Sequence, residues 1–189
     1  MKSVLIAIRP QCVDKIARGE KTIEVRKTAP QEVPFKAYIY ETQGQYIKFI
    51  HGAHTKYGYG RGKVIGEFIC NSVEMVNAKC SDYGIDLFYH DCLTKGCLTE
   101  REIEKYFNVP EDRDLRAMKG NGYVWNISDL KIYDKPRELS EFSRPCSYSG
   151  LCFSCKRTSF KKDGNLLCNT KITRPPQSWM HVEDLGEEK

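Results

Sequence analysis

The stretch GEKTIEVR, Gly19–Arg26, decides how the rest of this sequence is interpreted. Its second half alternates polar and apolar side chains, which predicts a β-strand with Ile23 and Val25 turned inward. Glu24 and Arg26 then share the opposite face, with Cα atoms about 7 Å apart, the length of two strand rises. Long side chains bridge that gap, so the strand is predicted to carry a charged face.

Lys21 has the parity of the buried residues, but it lies in the turn after Gly19, where the alternation need not hold. Cations beside a carboxylate can recognise a phosphate or a base edge, and a Lys close to other cations can act as a base or nucleophile. Lys21, Glu24 and Arg26 are therefore candidate binding residues, and Lys21 and Glu24 are also candidate catalytic residues. The alternative is an exposed strand with ordinary surface ion pairs.

The neighbouring sequence predicts a small, mostly β fold. Ser3–Arg9 indicates a buried strand, and residues 10–18 a short helix that starts at Pro10 and is capped by Gly19. Further elements are predicted as strands at Phe35–Thr42, Val64–Val73 and Gly122–Asp134, and as a helix after the capping box of Thr99 and Glu102. Short strands without regular βαβ alternation favour a β-barrel with peripheral helices, in the α+β class.

Composition is that of an ordinary soluble domain, with 40% hydrophobic and 29% charged residues. The apolar N-terminus is too short and too interrupted for a signal peptide, so a cytoplasmic protein is expected. The net charge of +5 is uneven: residues 1–66 hold twelve Lys and Arg against five acidic residues, and residues 146–182 hold six against one. This asymmetry favours an anionic partner. An uneven but solvated surface explains the charges equally well.

The segment Gln45–Lys63 is rich in Tyr, His and Gly, and it predicts a long loop or a mobile hairpin. Lys56, Tyr57, Tyr59 and Arg61 alternate cations with aromatic rings. Aromatic rings stack on bases while cations hold the backbone of a single strand, so these four are candidate RNA-binding residues. The alternative is a hairpin whose tyrosines pack on the barrel.

Four of the nine cysteines follow the spacing Cys-x5-Cys-x2-Cys-x12-Cys, at Cys146, Cys152, Cys155 and Cys168. Four thiolates suit a tetrahedral Zn²⁺ ion and leave no open position, so one structural zinc ion is predicted. The segment is too polar to fold by burial, and metal binding would supply folding free energy. His181 can replace one ligand, and free surface thiols are the alternative.

The motif Gly19-x-Lys21-x-x-Glu24-x-Arg26 resembles the GxKxxExR signature of the ASCH domain family, a branch of the PUA-like superfamily. The strand VIGEF at Val64–Phe68, the late strand Gly122–Leu130 and the segment RPPQSW at Arg174–Trp179 resemble phage- and prophage-type members. The resemblance implies a partly closed β-barrel over residues 1–145. The cysteine spacing predicts a zinc-binding insertion over 146–170, and residues 171–189 are predicted to form a closing segment of the barrel with an acidic tail.

The resemblance also implies RNA or modified-nucleotide binding in a cleft lined by the signature residues. One ASCH subfamily hydrolyses acetylated cytidine with a Lys, a Thr and a Glu; Lys21 matches that Lys, but Glu24 stands where the Thr is expected. Glu67 or Glu74 can supply a further carboxylate. Binding is therefore favoured over hydrolysis of a modified nucleoside or RNA. A phage accessory protein that binds another protein is the third hypothesis.

Overall fold

The computed structural model describes residues 1–50, 54–110, 115–146, 158–160, 166–168 and 170–186. Its helices are α1 (Pro10–Ala17), α2 (Asp82–Thr94) and α3 (Glu100–Phe107). Its strands are β1 (Lys2–Ile8), β2 (Ile23–Arg26), β3 (Phe35–Glu41), β4 (Gly44–Ile50), β5 (His54–Gly60), β6 (Val64–Cys70), β7 (Val73–Asn77), β8 (Asn121–Asn126), β9 (Ser128–Arg137), β10 (Thr158–Phe160), β11 (Leu166–Cys168) and β12 (Trp179–Val182). The prediction of a mostly β chain with a few helices is confirmed.

The larger sheet has five strands in the order β12-β1-β3-β6-β9. β1 and β3 run parallel, while the other neighbouring pairs are antiparallel. Both faces of β1 are covered, because Val4 and Ile6 lie in one core cluster and Leu5 in another. A strand buried on both faces is typically a continuous apolar run, and this confirms the buried strand predicted from the sequence.

The smaller sheet has three strands in the order β2-β8-β7, all antiparallel. One face packs on α2 and α3, where Ile23 and Val25 join Phe88 and Phe107 in a third core cluster, separate from the two that cover β1. The other face looks towards the larger sheet, because Trp125 of β8 stacks edge-to-face on Phe35 of β3 with ring centroids 5.1 Å apart. The sequence pattern therefore placed Ile23 and Val25 correctly.

The described strands do not close into a barrel, so that part of the predicted fold is wrong. β2 is one edge of the smaller sheet and β12 one edge of the larger sheet, and no backbone ladder joins the two. The segment predicted as one strand at Val64–Val73 divides at Asn71 and Ser72, where the chain passes from the larger sheet to the smaller one. Because no ladder joins the two edge strands, an open seam lies between β2 of the smaller sheet and the β12 edge of the larger sheet.

Helix ends follow local sequence chemistry. After α1, Gly19 has φ +73° and donates its N–H to Ile16 O, as a C-terminal glycine cap should. At the start of α3, Thr99 and Glu102 form the reciprocal capping box that the sequence predicts. The helix α2 lies in the segment 82–96 that carries no clear sequence signal, and Ser81 caps it by accepting a hydrogen bond from Gly84 N.

Of the two alternatives predicted for residues 43–63, a long loop or a mobile hairpin, the structure shows an antiparallel hairpin of β4 and β5. Gly58 lies against the ring of Tyr46, and Gly60 lies against Pro10 and the backbone of Thr42, where no side chain fits. Glycine at these two positions lets the hairpin approach its own partner strand and α1 closely.

The chain returns to the larger sheet at its C-terminal end, where β12 pairs with β1. The segment between Phe142 and Ile172 leaves and rejoins the fold at one place: Arg144 N donates to Thr170 O at 2.8 Å, and Ile172 N donates to Phe142 O at 2.9 Å. Within the described part of the chain, none of the helices is long and apolar enough to cross a membrane.

Candidate functional site

The signature side chains Lys21, Glu24 and Arg26 form one buried charged cluster, which we call the triad. Their residues are 2%, 6% and 9% exposed. Lys21 Nζ lies 3.4 Å from Glu24 Oε2, and Arg26 Nη2 lies 3.0 Å from Glu24 Oε1. The alternative of ordinary surface ion pairs is therefore wrong: strand parity separates the charged face from the apolar face, but both faces are covered.

Lys21 is held by the C-terminal end of α2. Its Nζ donates to Gly96 O at 2.7 Å, and Lys15 Nζ donates to Cys97 O at 3.1 Å. Helix C-termini carry unpaired carbonyls and partial negative charge, which suits two ammonium groups. Gly96 lets the chain turn closely past the last turn of α2, because a Cβ there would come within 2.6 Å of the carbonyl oxygen of Cys92.

Arg26 spans the open seam between the sheets. Its Nη2 donates to Ala7 O of β1 at 2.7 Å, and its Nη1 lies 3.4 Å from Ser178 Oγ, just before β12. Glu24 Oε1 forms an ion pair with the same guanidinium, so the carboxylate is linked through Arg26 to the larger sheet. Side-chain hydrogen bonds thus replace the ladder that a closed barrel would have here.

The triad keeps unused hydrogen-bonding capacity. Within the described residues, Glu24 Oε2 and Arg26 Nε are buried and make no hydrogen bond. The 3.4 Å contact of Glu24 Oε2 with Lys21 is an ion pair without hydrogen-bond alignment. Trp125 Nε1, on the residue paired with Glu24 across β2 and β8, is also unpartnered. Buried polar atoms without partners are uncommon in native folds, and each calls for a water molecule or a ligand.

The charges of the triad act on two further side chains, which the sequence did not single out for this site. Burial raises the pKa of the Cys12 thiol on α1, and the negative charge of Glu24 raises it further. Burial also raises the pKa of Tyr106 on α3, while the positive charge of Arg26 opposes the shift. The apolar pattern around Cys12 is typical of a buried core thiol, and Tyr106 has the spacing of a helix face. Their proximity arises from tertiary packing, which no local pattern encodes.

The hairpin exposes two of its predicted RNA-binding residues. Tyr57 and Tyr59 are 60% and 70% exposed. They are two residues apart on β5, so their rings leave the same face of the strand. Arg61 is anchored, because its backbone N–H donates to Glu41 Oε2 at 2.8 Å while its side chain is largely exposed. Lys56 lies on β5 opposite Lys48.

The two carboxylates considered as further members of the site lie elsewhere. Glu67, on β6, accepts a hydrogen bond from the Tyr133 hydroxyl. Glu74 is exposed on β7 and pairs with Val124. Neither contacts the triad, so the third residue of an acetylcytidine hydrolase has no counterpart among the described contacts of Lys21.

The predicted zinc ligands fall mostly outside the described residues. Cys152 and Cys155 are not described, Cys168 is described only as part of β11, and Cys146 is an exposed free thiol. The described residues contain no group of three or more His, Cys, Asp or Glu side chains arranged to hold a metal ion. The hydrogen bonds of Arg144 and Thr170 bring the chain on the two sides of this segment together, with Cys146 and Cys168 each two residues from that contact.

Comparison with known proteins places the chain by its fold. No protein-family model and no curated protein matches the sequence. The crystal structure of ASCH from Zymomonas mobilis matches with a TM-score of 0.54 at 15% identity, covering 96% of this chain and 88% of that chain. Two point-mutant structures of the same protein also match. One has a TM-score of 0.54 at 14% identity and covers 96% of this chain and 89% of that chain. The other has a TM-score of 0.50 at 16% identity and covers 74% of this chain and 77% of that chain. The chain therefore has the ASCH fold, as the signature predicted.

Proposed function

We propose that this ASCH-fold chain binds single-stranded RNA or a modified nucleotide, with the triad as the centre of the site and the β4–β5 hairpin as its extension. The observation that carries the proposal is the buried triad itself. Two cations and one carboxylate sum to a charge of +1, in a place that is nine-tenths or more buried. An anionic or strongly polar ligand group would complete this arrangement.

A purely structural role accounts less well for the triad. Burying ionised groups costs several kcal/mol each, and their mutual attraction offsets this only when the remaining hydrogen-bonding positions are also filled. Glu24 Oε2 and Arg26 Nε are not filled by the described residues. Because Arg26 also spans the seam, a ligand that satisfied these atoms would bind where the two sheets separate.

The hairpin supplies the features that recognise a strand of RNA. Tyr57 and Tyr59 project from one face, about 7 Å apart along the strand, which leaves room for a base beside each ring. Arg61 and Lys63 follow in the sequence. Each forms an ion pair, Arg61 with Glu41 and Lys63 with Glu138, but their side chains remain 60% and 41% exposed, so phosphates can compete for these cations. Both strands of the hairpin contact α1, the helix that also carries Cys12 beside the triad.

Fluorescence anisotropy with a labelled single-stranded RNA tests the proposal. Affinity is expected to fall steeply between about 50 and 200 mM salt, because phosphate contacts release counterions. Tyr57→Ala and Tyr59→Ala are each expected to weaken binding by about 1–3 kcal/mol, the contribution of one base–aromatic stack. Tyr83→Ala is the matched control, since Tyr83 is 77% exposed on α2, away from the hairpin.

Salt-independent affinity, or equal losses for all three tyrosine variants, would overturn the proposed mode of binding. Retention of protein partners alone in a pull-down, with no nucleic acid, would favour the protein-binding hypothesis instead.

Hydrolysis with Lys21 as base or nucleophile and Glu24 as acid/base is the alternative. Lys21 Nζ donates to Gly96 O and faces Glu24, whereas a base or nucleophile needs a free lone pair. These contacts favour binding over catalysis. Turnover of acylated cytidines or RNA by the wild type, lost in Lys21→Met, would reverse this preference.

We also propose that Cys146, Cys152, Cys155 and Cys168 bind one structural Zn²⁺ ion. The spacing supports this, and so does the backbone contact between Arg144 and Thr170, which brings the chain on the two sides of the cysteine segment together. Elemental analysis is expected to give one zinc per chain, lost in Cys155→Ser and retained in Cys80→Ser. Equal zinc content in the two variants, or none in the wild type, would contradict it.

A further inference from the structure

A cavity of about 270 Å³ opens at the seam, between β12 and the segment that follows β2. Its wall includes Trp179 and His181 of β12, and its rim includes Lys2, Gln31 and Glu32. Lys2 Nζ and Glu32 Oε1 form an exposed ion pair at 2.6 Å. This volume lies below the range of about 300–1,000 Å³ typical of pockets for drug-sized ligands, so it suits a smaller group.

The Trp179 ring is fixed in the cavity wall before any ligand arrives. Its Nε1 donates to Thr28 Oγ1 at 3.0 Å. His181 contacts it with ring centroids 5.3 Å apart and planes at 90°, and Trp125 contacts it at 5.8 Å from the core. An aromatic ring held by contacts on several sides loses little freedom on binding, which favours stacking with a planar ligand.

The residues that line the cavity are close in sequence to residues at the triad, although no triad residue lines the cavity itself. Ser178, whose Oγ lies 3.4 Å from Arg26 Nη1, directly precedes Trp179. On the other side, Arg26 ends β2 and the chain runs from there to Gln31 and Glu32 at the rim.

The rim chemistry matches the edge of a nucleobase. Gln31 offers both an amide donor and a carbonyl acceptor beside the aromatic wall, and the exposed Lys2–Glu32 ion pair lies on the same rim. Unpaired bases are recognised in this way, by stacking on an aromatic side chain and by hydrogen bonds to their edges. An aliphatic or purely anionic ligand would leave either the ring or the acceptors unused.

We propose that this cavity holds one unpaired nucleobase, stacked on Trp179 and read by Gln31. The inference rests on the proposed nucleic-acid function and adds the position of a base that neither the triad nor the hairpin provides. It makes Trp179 and Gln31 recognition residues.

Tryptophan fluorescence tests this directly, because the chain has two tryptophans and Trp125 is 0% exposed. Adenosine and cytidine monophosphates are expected to quench the wild-type emission saturably, while ribose 5-phosphate does not. Trp179→Phe should lose the quenching but keep binding by calorimetry, since Phe still stacks. Gln31→Ala should weaken calorimetric affinity several-fold. Gln31 is exposed, so this variant is expected to fold even if Trp179→Ala does not.

Equal responses to ribose 5-phosphate and the nucleotides would overturn the inference, because the phosphate alone would then be bound. Undiminished quenching in Trp179→Phe, or unchanged affinity in Gln31→Ala, would overturn it as well. The two proposals can fail separately. If RNA binds but nucleotides do not change the fluorescence of Trp179, only the base-binding role of the cavity is refuted. If nucleotides quench the fluorescence but no RNA is bound, the proposed RNA-binding function is refuted.

Discussion

Replacing Lys21 with Met tests whether the triad is a coupled buried unit. Met keeps the length and apolar stem of Lys but removes the ammonium. Gly96 O then loses the hydrogen bond at 2.7 Å, and Glu24 loses one of its two cations while keeping Arg26 at 3.0 Å. The substitution changes no backbone requirement, so its effect reports on the charge alone.

The expected loss follows from burial. A hydrogen bond to a charged group contributes about 1.5–3 kcal/mol, and an acceptor left unsatisfied in the interior costs a similar amount. Relief of the desolvation of Lys21 offsets part of this. We expect the free energy of unfolding to fall by about 2–3 kcal/mol, which corresponds to a fall in Tm of about 4–12 °C for a chain of this size.

Urea denaturation followed by circular dichroism measures the change, with Lys2→Met as the matched control. The Lys2–Glu32 pair is shorter, at 2.6 Å against 3.4 Å for Lys21–Glu24, but its side chains are 57% and 64% exposed. Surface pairs contribute little, so Lys2→Met should change stability by less than about 0.5 kcal/mol. Equal losses in the two variants, or a larger loss for Lys2→Met, would refute the reasoning, because distance rather than burial would then decide.

Two further predictions concern packing and pH. Gly96→Ala should lower the free energy of unfolding by about 1–3 kcal/mol in urea denaturation, because the new Cβ meets the Cys92 carbonyl. Gly84→Ala, at the start of α2, is the control and should be neutral or stabilising. Equal effects of the two substitutions would contradict the close approach of Gly96 to Cys92. Burial alone would raise the pKa of Asp184, but hydrogen bonds from Tyr38 and Lys36 outweigh it and lower the pKa. The stabilisation that ionised Asp184 gives the folded state is present at pH values above its unfolded pKa of 3.8. It is lost as the pH falls through its lower pKa in the folded state. The stability difference between wild type and Asp184→Asn should therefore narrow as the pH falls below about 4, and a difference independent of pH would exclude this origin.

Local sequence chemistry predicted the elements that depend on neighbouring residues. Gly19 ends α1 in the left-handed conformation, and Thr99 with Glu102 starts α3, because each of these effects acts within one helical turn. The helix α2 escaped prediction although Ile85, Phe88 and Cys92 are spaced for one helix face. Aromatic and acidic residues between them blur the stripe, and packing on the smaller sheet, rather than local preference, accounts for the helix.

The candidate site was predictable in its members and not in its surroundings. Alternation assigned Ile23 and Val25 to one face and Glu24 and Arg26 to the other, and the structure agrees. Whether the charged face meets solvent depends on what covers it, and the covering groups come from β1, from the end of α2 and from the residue before β12. Such contacts join positions far apart in the chain, so periodicity within one strand carries no information about them.

The bond between Arg26 and Ser178 has a consequence for the timing of synthesis. The two residues are 152 positions apart, so a ribosome adding about 5–20 residues per second makes the first roughly 8–30 s before the second. During that interval the nascent chain carries the signature strand without the segment that closes over it. A chain truncated before β12 would therefore keep the residues that form the ion pairs of the triad but would lack the contact of Arg26 with Ser178.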